Sequence, residues 1–264
     1  MRSFEGTCWV VALIAIVAAA GLPDPALAQL APERLFKAGA VTFGVAGGGA
    51  AYTAFQRGQA HAAGRDFDRR LSAQTSVALS ATLTYWISGV FAVRAHGSYS
   101  PTRFVMSMPD EDAALFRAAE PDPLASLGVL MADADVLLRA PVIFGRIAPY
   151  GIIGAGVVDY RADPGSSSPL PVEAREAFAS GSQRRFAGVI GVGALVPLER
   201  HDFFLTFELT NHMTRSPVAH TATSPTPSGA QTLVDADAWS NDEGEAGHTS
   251  AVRLMVGLTV PLAR

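Results

Sequence analysis

The feature that most constrains this chain is a two-residue alternation of apolar and polar side chains that returns along most of its length. From Val77 to Ile87 the odd positions are Val77, Leu79, Ala81, Leu83, Tyr85 and Ile87, and Ala78, Ser80, Thr82, Thr84 and Trp86 lie between them. A strand points successive side chains to opposite faces, so such a run makes a strand with two unlike faces. Phe91–Tyr99 repeats the pattern, with Arg94, His96 and Ser98 on its second face. Leu130, Ala132, Ala134, Val136 and Leu138 stand opposite Asp133, Asp135 and Arg139, and Tyr150, Ile152, Val158 and Tyr160 stand opposite Asp159 and Arg161. Phe186–Val196 alternates less cleanly, with Arg185 on the minority face. Phe203, Leu205, Phe207 and Leu209 oppose Thr206, Glu208, Thr210 and His212, and Val252–Leu262 opposes Arg253, Met255 and Thr259. With the glycine-rich Val41–Tyr52 the expected strand count is eight.

The spacing between strands says what they build. Ser88-Gly89, Pro141–Arg146 and Pro197–Asp202 are short connections, whereas Ala54–Gln74, Ser100–Ser126, Ala162–Arg184 and Met213–Thr249 are long. Short and long alternate, as they do between the two sides of an up-and-down membrane barrel with periplasmic turns and extracellular loops. The alternative is a soluble barrel with the apolar face inside. Two features favour the membrane. The second face is Ser, Thr, Gly, Ala and Arg with few acids, which suits a small crowded lumen. Tyr85, Phe91, Tyr150 and Phe203 fall at the short-turn ends and Tyr99, Tyr160 and Phe186 at the long-loop ends, all with apolar-face parity, as two interfacial aromatic girdles would. Trp86 and Phe204 have the other parity.

Composition fits that reading. Apolar residues are 49% and charged residues 17%, short of the roughly one quarter usual in a water-facing domain. Twenty Lys and Arg against 24 Asp and Glu leave no basic surplus for nucleic acid. The amino end reads as an export signal: Arg2, an uncharged apolar run from Cys8 to Leu22, then Ala26-Leu27-Ala28. The expected organisation is a cleaved signal over 1–28, a short periplasmic segment over 29–39, and an outer membrane barrel over 40–264. Cleavage would remove Cys8, the single cysteine, and with it any thiol chemistry.

Pro149-Tyr150-Gly151-Ile152-Ile153-Gly154-Ala155-Gly156 and Ala187-Gly188-Val189-Ile190-Gly191-Val192-Gly193 resemble the glycine-rich strands of the OmpA-like outer membrane β-barrel domain family over about residues 40–262. The resemblance implies an eight-stranded antiparallel barrel of the Gram-negative outer membrane, inserted by the assembly machinery. Such barrels commonly end on an aromatic residue, whereas this chain ends Val260-Pro261-Leu262-Ala263-Arg264.

The lumen is expected to hold Arg94, Arg139, Arg161, Arg185 and Arg253 with Asp133, Asp135, Asp159 and Glu208. Near-balance of sign is what a sealed interior needs, because an unpaired buried charge is costly. Strand neighbours suggest Arg94 with Asp133 or Asp135, and Glu208 with Arg253. Structural filling of the lumen is the main reading and a narrow gated ion path the alternative. A lipid-cleaving enzyme is a further alternative. Residues Glu208–Arg215 are weakly similar to the His-x-Ser-Asn stretch of outer membrane lipid A deacylases, which would make His212 the base and Thr214 the nucleophile. The acids Asp235, Asp237, Asp242, Glu243 and Glu245 lack the full spacing of a calcium loop, and no metal or other cofactor is expected. Arg65, Arg69 and Arg70 in the first loop are the expected contacts for lipopolysaccharide phosphates. The chain is expected to work as a monomer among outer membrane lipids, with loops as its recognition surface.

Overall fold

The computed structural model describes residues 36–62, 65–107, 123–140, 147–162, 172–198, 203–218 and 247–263. Eight long strands close on themselves: β1 (Val41–Tyr52), β4 (Ser76–Trp86), β5 (Phe91–Ser107), β6 (Pro123–Arg139), β7 (Ala148–Ala162), β8 (Ser182–Pro197), β9 (Phe204–Arg215) and β10 (His248–Ala263). Each pairs antiparallel with its neighbours, and the ring is completed by β10 against β1 and by β5 against β6. The other two strands, β2 (Gln56–Ala62) and β3 (Arg65–Ala73), form a hairpin in the first long connection. One turn and a half of helix, α1 (Val172–Ala177), lies in the third.

The hairpin explains why the second long connection is shorter than the sequence suggested. β3 pairs with β5 through Ser72↔Val105 and Ala73↔Phe104, so the backbone of β5 keeps a partner beyond the end of β4. Both β5 and β6 therefore run for 17 residues. About 9–11 residues cross a bilayer at a tilt, and the surplus stands above it.

The wall sorts its side chains by parity. Leu79, Leu83, Val192, Val256 and Leu258 are exposed on the outside, while their chain neighbours Ala78, Thr84, Met255 and Thr259 are buried inside. No helix among the described residues is long and apolar enough to cross a membrane. An apolar outer wall on strands that pair antiparallel around a closed ring is the arrangement that hydrocarbon permits.

β7 departs from the expectation. Tyr150, Ile152, Val158 and Tyr160 point inward and are buried, Ile153 is 60% exposed on the outer wall, and Arg161 also lies outside. The expected lipid face and lumen face of this strand are interchanged, so Tyr150 and Tyr160 leave the aromatic girdles. Tyr85, Tyr99, Phe186 and Phe203 remain exposed on the outer wall.

The interchange has a packing cause, because the lumen is itself layered. At its long-loop end Phe55, Leu71, Phe104, Leu127, Tyr160 and Phe178 form an apolar cluster. At its short-turn end Phe36, Trp86, Leu137, Ile152, Leu195 and Phe204 form another. Phe36 meets Trp86 edge-on at 4.7 Å between centroids. The parity of Trp86 and Phe204, which broke the girdle pattern, is that of the lower plug.

Glycines on one strand accommodate large side chains of the next. Gly193 pairs with Tyr150 on β7 and with Glu208 on β9, and a Cβ there would collide with the Tyr150 ring. Gly188, five residues away on the outer face, has open space. Gly193→Val is therefore expected to lower stability by about 1–3 kcal/mol through overpacking. Gly188→Val should leave it nearly unchanged. Urea unfolding of detergent-folded protein checks the difference.

Candidate functional site

The register that closes the barrel also assembles its charges. On β5 and β6, Arg94 is directly opposite Asp135 and His96 directly opposite Asp133. Gly154 and Gly156 on β7 are the cross-strand partners of the same two aspartates, leaving their side chains room to turn into the lumen. Glu208 and His212 on β9, with Arg253 on β10, face them from the far wall.

Two tiers result. In the lower tier the Arg94 guanidinium donates from Nε and Nη2 to Asp135 Oδ2 at 3.0 and 2.6 Å, and from Nη1 to Glu208 Oε1 at 2.5 Å. Tyr150 donates its hydroxyl to the same Glu208 oxygen at 2.6 Å, reaching across Gly193 to do so. In the upper tier Asp133 Oδ2 accepts from His96 Nδ1 at 2.8 Å and from His212 Nε2 at 3.0 Å. Arg253 points both terminal nitrogens at His96 Nε2, each at 3.4 Å. The network assigns the tautomers: N–H at Nδ1 of His96 and at Nε2 of His212.

Arg94 thus takes Asp135, as one of the expected pairings had it. Glu208 and Arg253 do not pair. By register Arg253 lies opposite Thr210, while Glu208 lies opposite Met255, which puts the arginine in the upper tier and the glutamate in the lower. The remaining expected lumen charges lie outside these two tiers. Arg139, at the lower plug, donates from Nε to the Gly89 carbonyl at 2.6 Å, and its guanidinium lies 4.3 Å from the Phe36 ring centroid. Asp159 and Arg161 belong to the outer wall of β7, where they pair with each other at 2.9 Å. Arg185, at the upper end, approaches the Ser216 and Pro217 carbonyls at 3.4 Å.

The sequence reading missed His96 and Tyr150 as members of the network. The parity of His96 beside Arg94 was a usable signal. Tyr150 was hidden by the inverted face of β7.

Three ligand atoms of His96, Asp133 and His212 lie within 4.8 Å of one another, a set that could in principle hold a metal ion. The surroundings favour the hydrogen-bonded form. A histidine bound to metal through Nδ1 must present N–H from Nε2 to an acceptor, and His96 Nε2 faces Arg253, which can only donate.

The arrangement also bears on hydrolysis. His212 is 2% exposed and engaged with Asp133, and Thr214 donates its hydroxyl to the Phe186 carbonyl at 2.8 Å. A nucleophile needs its base within hydrogen-bond reach, and this hydroxyl is turned to the backbone instead. The acids from Asp235 to Glu245 lie outside the described residues. Arg65 and Arg69 are on β3 and Arg70 is exposed there.

No protein-family profile matches the chain, and no curated protein matches its sequence. Among solved structures it is similar to the outer membrane protein OprG from Pseudomonas aeruginosa, with 14% identity over 86% of this chain and 99% of that one at a TM-score of 0.43. It is similar to the outer membrane protein AlkL, with 12% identity over 87% and 92% at a TM-score of 0.43. It is also similar to the outer membrane protease OmpT from Escherichia coli, with 9% identity over 84% and 97% at a TM-score of 0.38.

Arg94 is the only cation that Asp135 and Glu208 share among the described ion pairs. Arg94→Ala would leave both carboxylates buried and unpaired, and should cost about 3–5 kcal/mol. Glu208→Ala leaves the Arg94–Asp135 pair intact and should cost less. Urea midpoints in detergent, with heat-modifiable gel mobility as the folding control, measure both.

Proposed function

We propose that this chain is a sealed outer membrane barrel with a structural and surface-interaction role, its lumen filled and its loops serving as the recognition surface. The single observation that carries this reading is the layering of the lumen. Two tiers of hydrogen-bonded charged side chains lie between two apolar plugs, and the outer wall around them is apolar.

An eight-stranded barrel encloses little more than the volume of its own side chains. Here the free space beside Arg94 and Glu208 is about 30 Å³, lined by Thr42, Thr82, Thr84 and Thr259. A cavity of that size accommodates a water or two rather than a hydrated ion path. The apolar plugs would resist wetting further. These features favour structural filling over a narrow channel, and the orientation of Thr214 gives lipid ester hydrolysis no support.

The same reading places the protein among outer membrane lipids and lipopolysaccharide after delivery by the assembly machinery. The finer resemblance to the OmpA-like family is supported by the glycine-rich β7 and β8, whose Gly154, Gly156 and Gly193 lie against Asp135, Asp133 and Tyr150.

Planar-bilayer recording on the refolded protein tests the function directly. The expected outcome is no stable conductance step in wild type. Reproducible single-channel openings that Arg94→Ala enlarges would replace the sealed-barrel reading with a gated path.

A further inference from the structure

The inverted face of β7 has a consequence on the outside of the barrel. Arg161 and Asp159, expected in the lumen, stand instead on the outer wall at the long-connection end. Asp159 is directly paired with Arg184 of β8 in the sheet. Its Oδ2 accepts from Arg161 Nε at 2.9 Å and lies 3.9 Å from Arg184 Nη2. One buried carboxylate therefore holds two guanidinium groups side by side, with 60% and 70% of their side-chain surfaces exposed.

The patch continues on β9. The register Ala187↔Thr214 puts Arg215 beside Phe186, two residues below Arg184 on the same outer face. Arg215 is exposed, and no carboxylate partner accompanies it among the described residues. Among the described residues of this patch, three positive charges against one negative leave a surplus of two.

What lies beneath the patch is apolar. Phe186 is 87% exposed, Met213 47%, Ile190 53% and Ile153 60%, all on the outer wall of β7, β8 and β9. A ligand that fits both parts carries anionic groups above and hydrocarbon below.

We propose that the outer rim of β7, β8 and β9 binds the phosphate groups of an outer-leaflet phosphorylated glycolipid, with Arg161, Arg184 and Arg215 as its contacts. Guanidinium groups present paired N–H donors that match phosphate oxygens. Asp159 fixes two of them in advance, which lowers the entropy lost on binding. The acyl chains lie against Phe186 and Ile190. This site is separate from Arg65, Arg69 and Arg70 of the β2–β3 hairpin, and it rests on the reading of the chain as a lipid-embedded barrel.

The test uses the full-length folded protein in detergent, titrated with bisphosphorylated lipid A and with its dephosphorylated counterpart, and followed by native mass spectrometry. Insertion into vesicles is measured first and separately, so a failure of the barrel reading shows there. Wild type should prefer the bisphosphorylated form, with the preference weakening as salt rises. The combined variant R161Q/R184Q/R215Q should weaken that binding by about tenfold or more, as loss of charge-assisted bonds implies, and by more than R65Q/R69Q/R70Q does. A folded, inserted rim variant that binds bisphosphorylated lipid A as tightly as wild type would overturn the proposal. So would equal affinity of wild type for the dephosphorylated form, or a loss confined to the hairpin variant. If the rim variant loses heat-modifiable mobility, R215Q alone replaces it, and an affinity identical to wild type then counts against the site.

Discussion

The arginine at the centre of the barrel organises much of what surrounds it. Arg94 is 4% exposed and holds Asp135 on the neighbouring strand and Glu208 on the far wall. A buried guanidinium must have its charge and its donors satisfied, so the facing positions are constrained in turn. Asp135 needs Gly154 opposite it. Glu208 draws the Tyr150 hydroxyl across Gly193, and Tyr150 can reach only from the inner face of β7. The inner parity of that strand and the outer position of Arg161 follow from one network. Alternation by two makes the link strict, because a strand cannot change one side chain's face without changing all of them.

Much of the fold was legible in the sequence. Strand number, antiparallel order, alternating short and long connections and the outward face of β4, β5, β6, β9 and β10 all follow from period-two patterning and spacing. Two things did not. The hairpin β2–β3 lies in a segment whose polar and small residues carry no clear alternation. The face of β7 was misread because both of its faces are partly apolar: Tyr150, Ile152, Val158 and Tyr160 on one, Ile153 and Val157 on the other. Sequence parity states that two faces differ, and it does not state which one meets lipid. The lumen was expected to be polar throughout, whereas its two ends are apolar plugs that Trp86, Phe204 and Tyr160 help to build.

The lumen site was legible in outline. Arg94, Asp133, Asp135, Glu208, His212 and Arg253 all face inward as their parity required. The pairing was harder to foresee, since contacts across a barrel depend on strand stagger rather than on sequence neighbours. Arg94 with Asp135 is a directly opposed cross-strand pair, the kind that hairpin adjacency reveals. Arg94 with Glu208, and His212 with Asp133, span the lumen. Asp159 and Arg161 were misplaced by the inverted face of β7, whereas Arg139 keeps the inward parity of β6 but lies at the lower plug, against a turn carbonyl and Phe36, apart from the two tiers.

The most direct measurement of the central claim concerns adjacent residues on β7. With Cys8 replaced, single cysteines at Ile152 and Ile153, or at Val189 and Ile190 on β8, can carry nitroxide labels in protein refolded into bilayers. Collision with lipid-dissolved oxygen should be high for the labels at 153 and 190 and low for those at 152 and 189. High oxygen accessibility at 152 with low accessibility at 153 would contradict the inner face of β7, and with it the network centred on Arg94.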